Sequence, residues 1–143
     1  MNLELEGKLA LVSGSTAGIG FAIAKALAAE SARVIINGRT DRRVKEAIKK
    51  IRAKISGAKL EALAVDLSSA DGATTALKRF PDVDILVNNL GVYSPKPFEQ
   101  ISDADWLSII EPNSPSRLSP LLPRRRRIHF GFGQAKKGNA GRH

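Results

Sequence analysis

The feature that most constrains this chain is a glycine-rich turn set between an apolar strand and an amphipathic helix. Leu9, Ala10, Leu11 and Val12 form a short apolar run that predicts a buried strand. It ends in Ser13-Gly14-Ser15-Thr16-Ala17-Gly18-Ile19-Gly20. A helix is predicted over residues 19–31, with Ile19, Ile23, Ala26 and Leu27 sharing one face. Three glycines at such a junction let the chain turn sharply and let another group approach the backbone closely.

The same alternation continues. Residues 33–36 read as a β-branched strand stopped by Asn37-Gly38. Val44, Ile48, Ile51 and Ile55 form one stripe of a helix over 41–55, with Lys and Arg opposite. Residues 60–65 predict a third strand. Ser68 or Ser69 can cap a helix running to Phe80, and residues 83–87 predict a fourth strand. Ser102-Asp103-Ala104-Asp105 has the form of a capping box with Asp in place of Glu, and Trp106, Ile109 and Ile110 supply an apolar face beyond it. Strands alternating with crossover helices imply an α/β fold with a parallel sheet covered on both faces.

A helix that starts at a glycine loop offers free N–H groups and the positive end of its dipole to an anion. Position and spacing therefore favour a loop that holds the pyrophosphate of a dinucleotide. The other reading is a tight turn with no ligand. Composition removes several further function classes. The chain has no cysteine, so disulfides, thiolate chemistry and Cys-based metal sites are excluded, and with only His129 and His143 as histidines a His-rich metal site is not expected. No apolar run reaches the ~18 residues of a membrane span. The acidic start, Met1 to Glu6, lacks a signal peptide's basic and apolar regions. A cytoplasmic location is expected.

The spacing Gly14-x-x-x-Gly18-x-Gly20 resembles the TGxxxGxG motif of the short-chain dehydrogenase/reductase family, with Ser13 in place of Thr. Asp66-Leu67 and Asn88-Asn89-Leu90-Gly91 follow in the family's order, the latter similar to its NNAG with Leu90 for Ala. With Asn113 these matches span residues 5–113. The resemblance implies a Rossmann-type, doubly wound parallel sheet with strand order 3-2-1-4 in the part matched here. It implies cofactor contacts from Gly14, Ser15, Thr16, Gly18, Ile19, Gly20, Asp66, Leu67, Asn88, Asn89 and Gly91. It also implies hydride transfer between a nicotinamide dinucleotide and a small carbonyl or alcohol substrate, in the general style of the 3-oxoacyl-carrier-protein reductases. Taken singly, Asp66 could be only a strand-end cap, and Asn88-Asn89 only a turn. Leu90 adds bulk close to the expected cofactor.

Cofactor choice is read from the end of the second strand. An acid about 20 residues past the glycines would bind the NAD ribose and repel a 2′-phosphate. The strand instead ends Asn37-Gly38-Arg39, and arginine pairs well with phosphate. NADP is expected as the preferred cofactor, with NAD second. The competing reading of Arg39 is a solvated surface charge.

The family's catalytic set is Asn, Ser and Tyr-x-x-x-Lys. The one tyrosine, Tyr93, has Lys96 three positions on and Pro97 four, so it is read as an ordinary loop residue. Asn113 matches the family's catalytic Asn in position but lies between Pro112 and Pro115, which oppose a helix. The charge also divides near residue 111. Residues 1–111 carry 15 Lys/Arg against 14 Asp/Glu, and residues 112–143 carry 8 Lys/Arg and no acid. This predicts a cofactor-binding half-domain over 1–111 and a basic, largely disordered Pro/Gly-rich tail over 112–143, in which residues 127–133 faintly echo the family's next strand without its serine. On this expectation the chain is truncated or frameshifted after about residue 111, residues 83–87 form an open sheet edge, and the family's oligomer interface is missing. The alternative function is a non-catalytic nucleotide-binding or interaction protein. Its tail, with Arg124 to Arg127, Lys136 and Lys137, would attract nucleic acid or an anionic membrane by charge. No recognisable binding fold accompanies that tail, so neither a specific nucleic acid nor a membrane is expected as partner.

Overall fold

The computed structural model describes residues 3–90, 100, 102–105 and 107, and the backbone of 129–131. The elements are β1 (Leu9–Val12), α1 (Gly18–Ala29), β2 (Arg33–Gly38), α2 (Asp41–Lys54), β3 (Leu60–Ala64), α3 (Ala70–Arg79), β4 (Ile85–Asn88) and β5 (His129–Gly131). The sheet order is β3-β2-β1-β4-β5, and every pairing is parallel. The fold is α/β with a Rossmann-type parallel sheet, as the alternation predicts.

Two apolar layers hold the helices to the sheet. On one face Val12, Val34, Ile36 and Val87 pack with Ala24 and Ala28 of α1 and with Val44, Ala47 and Ile51 of α2. On the other, Leu11, Ile35, Leu63 and Leu86 pack with Ala73, Ala76 and Phe80. Strand side chains alternate between these layers, so a strand buried on both faces is apolar throughout. Fully burying one such side chain contributes about 1.5–3 kcal/mol.

Several local expectations shift. On α1 the buried residues are Gly20, Ala24 and Ala28; of the predicted face Ile23 and Leu27 pack partly buried against the same layer, while Ile19 and Ala26 are exposed. Small residues at that spacing let the helix lie close on the sheet. Strand β2 does not stop at Asn37-Gly38: both residues pair with β3, Asn37 opposite Leu63 and Gly38 opposite Ala64. The Ser102 capping box forms as expected. The Ser102 hydroxyl accepts from the Asp105 N–H at 3.2 Å, and the Asp105 carboxylate accepts from the Ser102 N–H at 3.0 Å. Trp106, Ile109 and Ile110 lie outside the described residues.

The expectation of an open edge at β4 is overturned. Strand β5 lies parallel to it, with Leu86, Val87 and Asn88 opposite His129, Phe130 and Gly131. The outward backbone N–H and C=O groups of β4 thereby find partners they would otherwise lack. Part of the segment expected to be largely disordered thus joins the sheet. The rest of residues 112–143 lies outside the described residues. Among the described residues no helix is long and apolar enough to cross a membrane, and no cluster of metal-ligating side chains occurs.

Helix α1 ends in an unusual cap. Ser31 has φ 67, its N–H donates to Ala28 O, and the Ala32 N–H reaches back to Leu27 O, each at 3.1 Å. This is a Schellman motif with serine where glycine is the usual residue. The left-handed conformation costs an L-residue ~1–2 kcal/mol, and glycine's greater freedom when unfolded returns part of that gain. Ser31→Gly should raise stability by about 0.5–1 kcal/mol. Urea unfolding checks this, and an unchanged or lower midpoint would refute the strain assigned to Ser31.

Candidate functional site

The chain runs outward from β1 to β2 and β3, then returns to the other side of β1 for β4. That reversal opens a crevice at the carboxyl ends of β1 and β4, where open α/β sheets place their ligands. The glycine loop sits at this point. Gly14 and Gly18 both have φ 59, a conformation that glycine adopts at little cost. A Cβ on Gly18 would meet nothing within 4 Å, whereas one on Gly20 would stand 2.5 Å from Gly14 O and from Asn89 Nδ2. The loop is therefore open above Gly18 and tightly packed beneath Gly20.

The start of α1 suits an anion. Its N-cap, Ala17, makes no side-chain cap bond, and its first turn holds no acid. The first N–H groups of a helix have no partner within the helix, and the dipole adds positive potential there. Ile19, beside them, is 61% exposed.

What holds the loop is a buried polar layer. The buried polar residues among those described are Ser13, Ser15, Asn37 and Asn88, all at strand ends or in the loop. Asn37 makes the most connections. Its Oδ1 accepts from the Gly14 N–H at 3.1 Å. Its Nδ2 donates to Leu63 O and Val65 O, each at 3.0 Å. Its backbone N–H donates to Ser15 Oγ, and the Ser15 N–H donates to Asn37 O, both at 2.9 Å. On the other side, Ser13 Oγ donates to Val87 O at 3.3 Å and accepts from the Asn89 N–H at 2.8 Å. Asn89 Nδ2 donates to Gly14 O at 3.3 Å. No buried side-chain nitrogen or oxygen among the described residues lacks a partner.

The sequence-predicted residues divide into two groups. Gly14, Gly18, Ile19, Gly20 and Thr16 come together at the loop, with Arg39 and Asp66 exposed at the ends of β2 and β3. The Asp66 carboxylate accepts from both the Oγ and the N–H of Ser68. Those hydrogen bonds, led by the one from the hydroxyl, hold its pKa below the ordinary value; slight burial opposes them, and Arg39 adds a weaker attraction. The side chains of Ser15, Leu67 and Asn88 turn inward: Ser15 and Leu67 are buried, and Asn88 Oδ1 accepts from the Leu90 N–H at 3.4 Å. Leu90, half-buried, packs against the apolar layer containing Leu11 and Ile35 and stays beside the glycine loop, with its Cδ2 3.9 Å from where a Cβ on Gly14 would stand. Gly91, Tyr93 and Asn113 lie outside the described residues.

Sequence reasoning missed Asn37, which it read as part of a strand-stopping turn. The available signal was period-two alternation, which puts Asn37 on the same inward face as Ile35. Asn37→Asp would keep an acceptor for Gly14 but turn a carboxylate toward two carbonyl oxygens. We expect a loss of about 3 kcal/mol at neutral pH. Burial raises the folded pKa of the new acid, so the loss should grow as pH rises above ~4. Denaturant unfolding at pH 4.5 and 7.5 measures both effects, and equal losses at the two pH values would contradict the assignment.

Comparison with known proteins agrees with this geometry. The family model "short chain dehydrogenase" matches residues 8–120. The uncharacterized oxidoreductase YvaG of Bacillus subtilis is 45% identical over 113 residues, covering 79% of this chain and 43% of its own length. The crystal structure of L-sorbose reductase from Gluconobacter frateurii, complexed with NADPH and L-sorbose, superposes with a TM-score of 0.68 at 30% identity, over 82% of this chain and 47% of that one. A metagenomic short-chain oxidoreductase in complex with NADP gives 0.69 at 34%, over 82% and 56%. The chain spans about half the length of the relatives it matches. By its loop, its sheet order and these matches, this chain belongs to the short chain dehydrogenase family of oxidoreductases.

Proposed function

We propose that residues 1–111 bind a nicotinamide dinucleotide, with NADP(H) preferred over NAD. The observation that carries this reading is the glycine loop. It is open above Gly18, it leads into a helix start with neither a side-chain cap nor an acid, and it lies at the sheet's reversal point. These residues fit a pyrophosphate, because backbone N–H groups and the dipole of α1 supply the attraction while Gly14 and Gly18 keep side chains out of its way. Arg39 would pair with a 2′-phosphate. Asp66 and the strand-end backbone near Asn88 would border the adenine and nicotinamide portions respectively. The bound cofactor supplies hydride for interconverting a carbonyl and an alcohol, and the protein's part is to place it. Relatives solved with NADP or NADPH support the same reading.

The proton is a separate matter. Tyr-x-x-x-Lys places both side chains on one helix face, where the ammonium lowers the phenol's pKa for acid–base work. These 143 residues contain one tyrosine, and Pro97 stands at the fourth position after it. On our reading the chain binds cofactor, and these residues hold no Tyr-x-x-x-Lys pair to deliver the proton in carbonyl reduction.

Two measurements test this. In calorimetry NADP(H) should bind more tightly than NAD, and Arg39→Asp should weaken NADP(H) about 10–100-fold while favouring NAD. Equal or tighter NAD binding by the unaltered chain refutes the preference. In a turnover assay with NADPH and a panel of ketones, the purified chain should show no reduction. Turnover that disappears in Gly14→Trp would overturn the second half of the proposal.

A further inference from the structure

The end of β2 holds a steric relationship that pyrophosphate binding does not require. Val34 and Ile36 face the α1 and α2 side of the sheet, and Ile35 faces the α3 side. Asn37 follows Ile35 inward, with its amide bound beneath the glycine loop. Position 38 therefore turns toward the α1 and α2 side. A Cβ there would stand 2.5 Å from Thr16 Cγ2, 3.3 Å from Val44 Cγ2 and 3.5 Å from Thr16 Oγ1. Gly38 is not among the residues with positive φ. Its backbone would accept a side chain, and the neighbouring methyl groups refuse one.

Position 38 ends β2 and stands about 20 residues past Gly18, the spacing at which an acid would select NAD by binding the ribose and repelling a 2′-phosphate. Resting on the dinucleotide reading above, we infer that Thr16 and Gly38 act as a specificity-determining pair. The γ-methyl of Thr16 fills the space that a side chain at position 38 needs. Position 38 stays bare, and the region beside Arg39 stays free of a competing carboxylate. Thr16 is half-buried and β-branched, which restricts its rotation about χ1. The pairing is with carbon rather than oxygen: Cγ2 makes the short approach, and Oγ1 stands an ångström further away. Cofactor choice then has an electrostatic part in Arg39 and a steric part in Thr16. An acid placed at position 38 alone is insufficient to install NAD preference, because Thr16 must lose its methyl as well.

A double-mutant cycle reads this directly. Without ligand, Gly38→Ala should lower the thermal midpoint by roughly 4–8 °C, and adding Thr16→Ser, which keeps the hydroxyl and removes the methyl, should restore most of the loss. With ligand, calorimetry compares the unaltered chain, Thr16→Ser, Gly38→Asp and the double variant. Both Asp chains should lose NADP affinity about tenfold or more, while NAD affinity rises about tenfold only in the double variant. Recovery of folding in the double variant where Gly38→Asp alone fails to fold supports the pairing. If both Asp chains fail to fold, the Gly38→Ala cycle decides. Additive effects, or a Gly38→Asp chain that gains NAD affinity unaided, overturn it. Loss of all dinucleotide binding in the unaltered chain overturns the proposed function instead.

Discussion

One amide group holds the candidate site to the sheet. Asn37 accepts a hydrogen bond from Gly14 and donates to the carbonyls of Leu63 and Val65, so one side chain ties together the glycine loop, β2 and the end of β3. A buried amide with all its partners met strengthens a structure, whereas the same amide half-satisfied would weaken it. The position also demands an amide in particular. A carboxylate lacks the donors for two carbonyls, and an apolar side chain leaves the Gly14 N–H without its partner.

That constraint propagates outward. With Gly14 held from below and Asn89 bonded to its carbonyl, the loop has little freedom to collapse toward the sheet. Gly20 completes the arrangement, because its bare Cα is what lets α1 start so close to Gly14 and Asn89. The polar layer under the loop thus converts a flexible, glycine-rich turn into a fixed rim. A rim of backbone N–H groups binds an anion best when it need not rearrange, since ordering it on binding would cost affinity. The inward-facing hydroxyls of Ser13 and Ser15 serve this purpose, and they are turned away from the surface a ligand would meet.

The elements were largely legible from the sequence, because apolar period and capping chemistry are local properties. The helix over Asp41–Lys54 follows from the stripe of Val44, Ile48 and Ile51, and the Ser102 capping box from four residues. The buried face of α1 was legible only in part: Ile23 and Leu27 do pack against the core. Ile19 is apolar but exposed, while Gly20, Ala24 and Ala28 are buried, because a helix lying close on a sheet selects small residues over hydrophobic ones. Strand β5 was legible only faintly. Its three residues carry little local signal, and their place beside β4 depends on backbone groups that the rest of the sheet leaves open.

Sequence alone determined the α/β alternation, the location of the glycine loop between β1 and α1, and the absence of both an acid at the end of β2 and a Tyr-x-x-x-Lys pair within these 143 residues. These are matters of residue type and spacing, which hydrophobic periodicity and the conformational freedom of glycine translate directly into local structure. Tertiary structure decided which side chains those elements turn toward one another. Only the sheet register brings Asn37 beneath Gly14, sets the methyl of Thr16 against Gly38, and draws Leu90 into the apolar layer. Such contacts join residues far apart in the chain, and they exist because parallel pairing of β2 with β1 and β3 leaves each of these side chains one face to occupy.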